Sequence, residues 1–548
     1  MVKCPACGAG MRFDPASQMV KCDHCETKLE PETFSNSDAI MASQDTIFES
    51  TLYTCPQCGG EIVSDDDTVA TFCSYCGASV MLEGRSVQMM APSYVLPYRV
   101  TKEQCQVIYK NMINKAYFAP AYMKSDAQIQ KIRGIYMPYW NYDLSKSGTV
   151  SFPAEKSYRR GDYIYTDHYG CTVDVSANYA GVSFDASASF ADELSGAISP
   201  FNYRENKGFL TAYMSGFYAD IADVGADVYE TEAHKTVAGD IGNEISKLPQ
   251  LKGLTTHVNE GDVSLGLATK KKSVSYYPVW FLANRKGEYV SYAVINGQSG
   301  KAAADIPIDY KKYLIGSLLV SIPIILILDL LFTLTPGFIM LATALFSIIS
   351  WIISDQQMNL LYTRNYYLND KGLQSVQGMD RELAAKVAEQ TIKKEPKKTS
   401  TAKGSTFLFL FVVTMMFIIA LGAGMVGNLD AEAVQFMFMF GYFSLFIIAA
   451  ISNSVKSKKP VSVSNKVIYK KPFKEKLNVL IKPIISLVFS IVVLLVNPVM
   501  DIWYYSATFV SMILVLISFA DLIKLHNKLT MRLPRQFGKR GGDENEGV

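Results

Sequence analysis

Eight of the ten cysteines fall into two sets whose spacing suits a metal ion. Cys4-Pro-Ala-Cys7 is followed, after fourteen residues, by Cys22-Asp-His-Cys25. Cys55-Pro-Gln-Cys58 is followed, again after fourteen, by Cys73-Ser-Tyr-Cys76. Corresponding cysteines are 51 residues apart throughout, so the module is duplicated. Each CxxC step can bring two thiolates to about 2.3 Å from one ion, and two such steps complete a tetrahedral shell. The spacing is that of a zinc ribbon, and two zinc ions are expected, one in each set. Cysteine fills all four positions of each shell, which leaves no open coordination site for catalysis, so both ions are expected to be structural.

The elements around the ligands are small. Ribbons over 1–32 and 52–84, joined by a linker over 33–51, bury too little apolar surface to fold unaided, so the metal is expected to supply the folding energy. Gly8, Gly59 and Gly77 follow cysteines where a knuckle needs left-handed backbone. His24 lies between two better ligands and is expected on the surface. Cys105 and Cys171 stand outside the pattern and are expected to be buried thiols.

Little else in the chain suggests chemistry. No GxxxxGK[ST], GxSxG, HExxH or GxGxxG run occurs, and Gly297-Gln-Ser-Gly300-Lys301 is too short for a phosphate loop. His168, His234, His257 and His526 are scattered singly, and Tyr158, Tyr163, Tyr165 and Tyr169 read as one strand face. The chain is expected not to be an enzyme.

Charge is divided unevenly. Residues 1–91 carry a net −8 and residues 311–548 a net +11, within a whole-chain balance of +2. Binding to nucleic acid draws on Lys and Arg, so the acidic ribbons are expected to meet protein and not nucleic acid. Anionic headgroups would repel them, and a partner with a basic patch would be steered toward them.

The basic end is also the most apolar. Candidate membrane spans are 313–334, 338–354, 406–427, 435–452, 477–496 and 502–521, of 17 to 22 residues; about 20 apolar residues cross a bilayer core. Segments 355–405, 453–482 and 524–540 carry nine, nine and six Lys/Arg, whereas the turns near Pro336, Asn428–Val434 and Asn497–Asp501 carry none. The positive-inside rule then places both termini in the cytoplasm, and thiolate metal sites belong to a reducing compartment. The opening MVKCPACG has no apolar run, so no secretory leader is expected. Trp503, Tyr504 and Tyr505 fall at the outer interface. Asp329 lies about one turn from the outer end of its span and Lys482 near the inner edge of another, positions where snorkelling is cheap. They favour an anchor over a small-solute transporter or channel.

Residues 94–310 read as an α+β domain. Thr101-Lys-Glu-Gln104 opens a helix toward Phe118, and Thr231–Leu248 reads as a second helix. Asp162–Val175 and Val274–Ile295 read as strands, the latter bent at Asn284–Gly287 and stopped at Asn296-Gly297. Pro138-Tyr139-Trp140 recurs 140 residues later as Pro278-Val279-Trp280, each followed by a turn ending in glycine (Gly148, Gly287). Proline at a strand start or edge followed by a packed tryptophan suits two equivalent hairpins, an internal repeat.

The chain is therefore expected to be multi-domain: two small β zinc ribbons, an α+β cytoplasmic domain with an internal repeat, a six-helix all-α transmembrane region over 313–523, and a cytoplasmic tail over 524–548. The ribbons, Gly134-Ile-Tyr-Met-Pro-Tyr-Trp140, Ser199-Pro-Phe-Asn-Tyr203, Tyr277-Pro-Val-Trp280, Asn296–Lys301 with Asp305-Ile-Pro307, and Leu533-Pro-Arg-Gln-Phe with Gly541-Gly-Asp543 carry a resemblance. They resemble bacterial membrane proteins named for a TFIIB-type zinc ribbon, sometimes labelled primosomal helicases. The resemblance implies a membrane-bound adaptor in the envelope stress response, with phage-shock protein A-like or SPFH-type partners, and it implies no catalytic residue. A small-solute transporter and a zinc-ribbon regulator binding nucleic acid are the alternatives.

Overall fold

The computed structural model describes residues 2–36, 47–58, 60–64, 73–78, 83–264, 266–287, 289–331, 335–363, 370–376 and 473–531. The chain forms two compact units: a sheet-rich body running to Tyr313, to which 370–376 and 526–531 also belong, and a helical unit that starts at Leu314.

The body opens with a three-stranded antiparallel sheet, β1 (Met11–Asp14), β2 (Met19–Cys22) and β3 (Lys28–Leu29). Alternation buries Met11, Phe13, Val20 and Cys22 on one face, as a half-buried strand requires. Next come β4 (Ile47–Thr54), β5 (Glu61–Ser64) and β6 (Glu83–Met90), with β4 in the middle. These three strands are not separate from the rest. Val63 of β5 pairs with Ala219, which carries them into a twelve-stranded sheet through the body, whose minor strands include β10 (Lys207–Gly208) and β12 (Thr255–Thr256).

Two long strands form the middle of that sheet. They are β8 (Arg133–Arg160) and β13 (Leu267–Lys286), with the two-residue β7 (Tyr94–Val95) lying earlier in the chain and β11 (Tyr218–Ala219) between them. β8 and β13 pair antiparallel with Met137 opposite Tyr277, residues that are themselves 140 apart. The two halves are therefore related by a local twofold axis through that pair. The remaining elements obey the same axis. β8 returns through β9 (Tyr163–Asp185), and β13 returns through β14 (Tyr289–Asn296). β11 runs parallel to β8 at Ile135–Tyr136, as β7 runs parallel to β13 at Ser275–Tyr276. Each half thus gives its short strand to the other half's long strand. Helix α1 (Lys102–Lys115) follows β7, and α2 (Glu230–Ser246) follows β11. α1 starts on the expected capping box, Gln104 N–H to Thr101 Oγ1 and Thr101 N–H to Gln104 Oε1, and buries Cys105, Tyr109 and Ile113 at four-residue intervals.

The repeat differs from the expected hairpins in two ways. Both prolines lie inside central strands, Pro138 opposite Tyr276 and Pro278 opposite Tyr136, and not at a start or edge. Their carbonyls still accept, from Ala186 N–H and Gly297 N–H at 2.8 Å, and only the missing donor must be accommodated. Gly148 makes no turn: β8 runs through it at φ +129° and reverses at Gly161, whereas Gly287 does mark the second reversal.

In the helical unit, three helices among the described residues, not six, are long and apolar enough to cross a membrane: Pro336–Leu361, Asn478–Val496 and Asp501–Thr530. The expected span 313–334 is helical over Tyr310–Leu331 with Pro323 inside it, and the side chain of Asp329 lies outside the described residues. The expected spans 406–427 and 435–452 also lie outside them. Serines bind the long helices to one another. Ser347 and Ser486 hydroxyls meet at 2.7 Å, Ser518 donates to the Val479 carbonyl at 2.8 Å, and Lys482 pairs with Asp521. Small residues allow close helix approach, and their hydroxyls replace contacts that lipid cannot supply.

Candidate metal centres

The eight predicted cysteines come together as two groups of four. In each, the four sulfurs lie within 4.8 Å of one another, and each group could hold one metal ion. All eight thiols are free. A tetrahedral shell with bonds of about 2.3 Å sets its sulfurs about 3.8 Å apart. The second group has Cys55–Cys76 and Cys58–Cys73 at 3.8 Å; the first has Cys4–Cys25 and Cys7–Cys22 at 3.5 Å. The donor set and the separations both fit.

Local backbone builds the shells. Gly8 N–H donates to the Cys4 carbonyl at 2.8 Å and Gly77 N–H to the Cys73 carbonyl at 2.9 Å, with both glycines left-handed at φ +72° and +64°. In the second knuckle of the first shell Glu26, which follows Cys25, takes the same conformation at φ +60°. Gly59 lies outside the described residues. His24 is exposed, as expected, and Cys105 is fully buried, which pushes its thiol up. Cys171 is only half-buried.

The two shells differ in their surroundings. In the first, Cys4 and Cys22 are buried but Cys7 and Cys25 are exposed. The Thr27 hydroxyl, 3.1 Å from Cys25 Sγ, and the Thr27 backbone N–H hold the Cys25 thiol down, to about 6. In the second, all four cysteines are at most 1% exposed. What covers them is body: the Tyr75 ring packs edge-on against Phe281, Gly77 faces Ala283 and Arg285, and Arg285 Nη1 donates to the Cys76 carbonyl and Gln57 Oε1, both at 3.2 Å. No local motif signals Arg285, which lies more than two hundred residues from the shell it closes.

The first ribbon is seated on the body as well. Phe13 N–H donates to the Ser215 carbonyl at 2.9 Å, Gln18 Nε2 to the Tyr98 carbonyl at 2.7 Å, and the Tyr213 hydroxyl to Glu32 at 2.6 Å. Its outer edge, with Asp23, Glu26 and Glu30, stays exposed.

The other motif residues serve structure. The Asn296–Lys301 turn is bound to the Ser199–Tyr203 segment: Asn296 Nδ2 donates to the Ile198 carbonyl at 3.0 Å, Asn202 N–H to Gln298 Oε1 at 2.8 Å, and Lys301 Nζ to the Ser199 carbonyl. Tyr158, Tyr163, Tyr165 and Tyr169 lie exposed toward the tip of the β8–β9 hairpin. A buried polar group that carries no sequence signal surrounds Asp185. The Tyr139 hydroxyl meets Ser195 Oγ at 2.9 Å, Tyr229 donates to Asp192 at 2.6 Å, and Asp185 Oδ2 is buried with no hydrogen-bond partner among the described residues.

The chain is similar to the uncharacterized protein YdjG of Bacillus subtilis (strain 168), 28% identical over 314 residues, which is 57% of this chain and 91% of that protein. No family model and no solved structure matches the chain.

Proposed function

We propose that the chain is a membrane-anchored adaptor that binds two structural zinc ions and gathers protein partners at the cytoplasmic face of the membrane. The observation that carries this reading is the pair of closed four-cysteine shells built into one body, in a chain that also holds membrane-length helices. Thiolate is a soft donor, and four of them in a tetrahedron suit zinc. A closed shell offers shape and charge, not reactivity toward substrate. The body is not an enzyme in this reading, and it does not bind nucleic acid, for which its acidic ribbons lack the cations.

Six spans with both termini inside complete the picture, the basic segments lying against the inner leaflet. The relatives are the TFIIB-type zinc-ribbon membrane proteins, and the partner is a phage-shock protein A-like or SPFH-type protein of the envelope stress response. The docking surface is the outer edge of the first ribbon, where Asp23, Glu26 and Glu30 are exposed. The test is membrane recruitment of a fluorescent phage-shock protein A-like partner in cells carrying the wild type or Asp23→Lys with Glu26→Lys and Glu30→Lys. Recruitment lost with metal content unchanged supports the reading; recruitment unchanged defeats it. Deleting 1–91 is the wrong tool, because strands β4 to β6 are part of the body's sheet.

One observation favours a second reading, a path for a small polar solute. The Ser350 and Ser354 hydroxyls, on the same helix as Ser347, are buried without a hydrogen-bond partner among the described residues. Ion or solute flux in liposomes, lost in Ser350→Ala with Ser354→Ala, would favour it.

A further inference from the structure

The two shells have the same four ligands but not the same access. Cys7 and Cys25 of the first are exposed, whereas none of the second shell's sulfurs reaches solvent to any useful extent. A thiolate reacts with an electrophile only where the electrophile can reach it along the sulfur lone pair, so exposure decides which of two chemically alike centres reacts. The second shell is closed by Phe281, Ala283 and Arg285 from β13, and opening it means separating a ribbon from the core of the body. Opening the first requires no movement of the body, because its two outer sulfurs already lie at the surface.

We infer that the first centre is an oxidisable zinc site, a target for peroxides, while the second is permanent. This inference rests on the zinc reading above. The exposed Cys25 sulfur attacks one peroxide oxygen, and the O–O bond breaks, leaving Cys25 as a sulfenic acid and releasing hydroxide. The Cys4 sulfur, 3.5 Å away, attacks the Cys25 sulfur and displaces a second hydroxide, forming a Cys4–Cys25 disulfide. Two sulfurs have each lost one electron, the peroxide has gained two, and the two hydroxides take up two protons as water. The zinc ion, left with Cys7 and Cys22 alone, departs. Reduction by a dithiol reverses the change and readies the shell for metal again.

Oxidation also affects the body. The first ribbon is held folded by its ion, and while folded it supplies the Phe13 N–H to the Ser215 carbonyl and covers the Tyr213 ring through Phe13 at 5.4 Å between centroids. Loss of that ion loosens this contact and leaves the second ribbon in place.

The experiment uses the full chain in detergent, purified under reducing conditions and freed of reductant. Total zinc is measured first; fewer than two equivalents overturns the zinc reading and this inference with it. Hydrogen peroxide is then added, zinc release is followed with a chromogenic chelator, and thiols are mapped by differential alkylation and mass spectrometry. One equivalent should leave about tenfold faster than the other or more, together with a Cys4–Cys25 disulfide and newly alkylated Cys7 and Cys22, while Cys55, Cys58, Cys73 and Cys76 stay protected. Release of both equivalents at one rate, earlier reaction of the second set, or no faster phase overturns the inference while leaving two structural zinc ions intact.

Discussion

The indole N–H of Trp280 donates to the carbonyl of Val100 at 2.9 Å. The symmetry-related Trp140, 140 residues earlier, donates to Val224 at 2.7 Å. Val100 and Val224 stand six residues beyond the starts of β7 and β11, so each half's tryptophan is satisfied by the other half's leading segment. The exchange of short strands and the exchange of indole bonds are one arrangement. Neither half can satisfy its tryptophan N–H without the other.

That interlock makes the contact at Trp280 costly to disturb. Trp280→Phe keeps a ring in the core but leaves the Val100 carbonyl without its donor, a loss of about 1–3 kcal/mol. Opposite Trp280 in the sheet is Gly134, where an added Cβ would stand 2.5 Å from the Phe217 ring and 3.1 Å from the Tyr98 hydroxyl. The Phe217 and Tyr98 rings stack at 4.2 Å and have little room to give. Gly134→Ala should cost about as much, 1–3 kcal/mol by overpacking. Both variants should lower the thermal unfolding midpoint of the full chain in detergent with two metal equivalents retained. An unchanged midpoint for Gly134→Ala would show that the cluster yields more easily than its packing implies.

The ligand sets were legible in the sequence because a CxxC knuckle is local: four residues determine where two sulfurs point. The duplicated PxW motif likewise pointed to two equivalent halves. What the motif did not carry was that the halves pair with each other. β7 and β11 are two residues long, too short for any periodicity, and their partners lie far away in sequence. Gly148 read as a turn because glycine marks reversals more often than strand interiors, yet the cross-strand pairing on both sides of it continues the strand to Arg160. The difference in exposure between the shells is equally hidden, since Phe281 and Arg285, which decide it, lie more than two hundred residues along the chain from the cysteines they cover.

Asp185 offers a test through pH. It ends β9 as Asn296 ends β14, with Asp185 opposite Tyr139 and Asn296 opposite Val279. Both are buried, but Asn296 donates to the Ile198 carbonyl and accepts from the Gln298 and Ser299 N–H groups, whereas Asp185 Oδ2 has no hydrogen-bond partner among the described residues. Burial, then the charges of Asp192 and Asp370, raises its carboxyl well above the ordinary 3.8. The folded chain therefore holds this proton to higher pH than the unfolded chain does. Its contribution to stability is fully present below 3.8 and is lost as pH rises through the raised value. Asp185→Asn removes the charge and should raise the unfolding midpoint at neutral pH, by about 1–3 kcal/mol in stability. The gain should shrink as the buffer is made acidic. A gain independent of pH, or a loss at neutral pH, would show that the carboxylate is compensated in the folded state.

Topology is the remaining test, and it bears on the adaptor reading as a whole. Segments 355–405, 453–482 and 524–540 hold nine, nine and six Lys/Arg, and 428–434 holds none but includes Asp430 and Glu432. Basic residues resist transfer across a membrane, so in the adaptor reading the segments rich in them are retained inside. In the adaptor reading the cysteine shells lie on the same side, because thiolates persist where the medium is reducing. A reporter active only outside the cytoplasm, fused after Asp430, should therefore be active; fused after Lys398 or Val548 it should be silent. The two arguments are independent, one resting on loop charge and the other on thiol chemistry, so their agreement is itself at stake. Activity at Lys398 and silence at Asp430 would overturn both together and place the ribbons where their thiols would oxidise. Activity at Val548 alone would mean an odd number of spans, moving the tail outside while leaving the ribbons and their partner within.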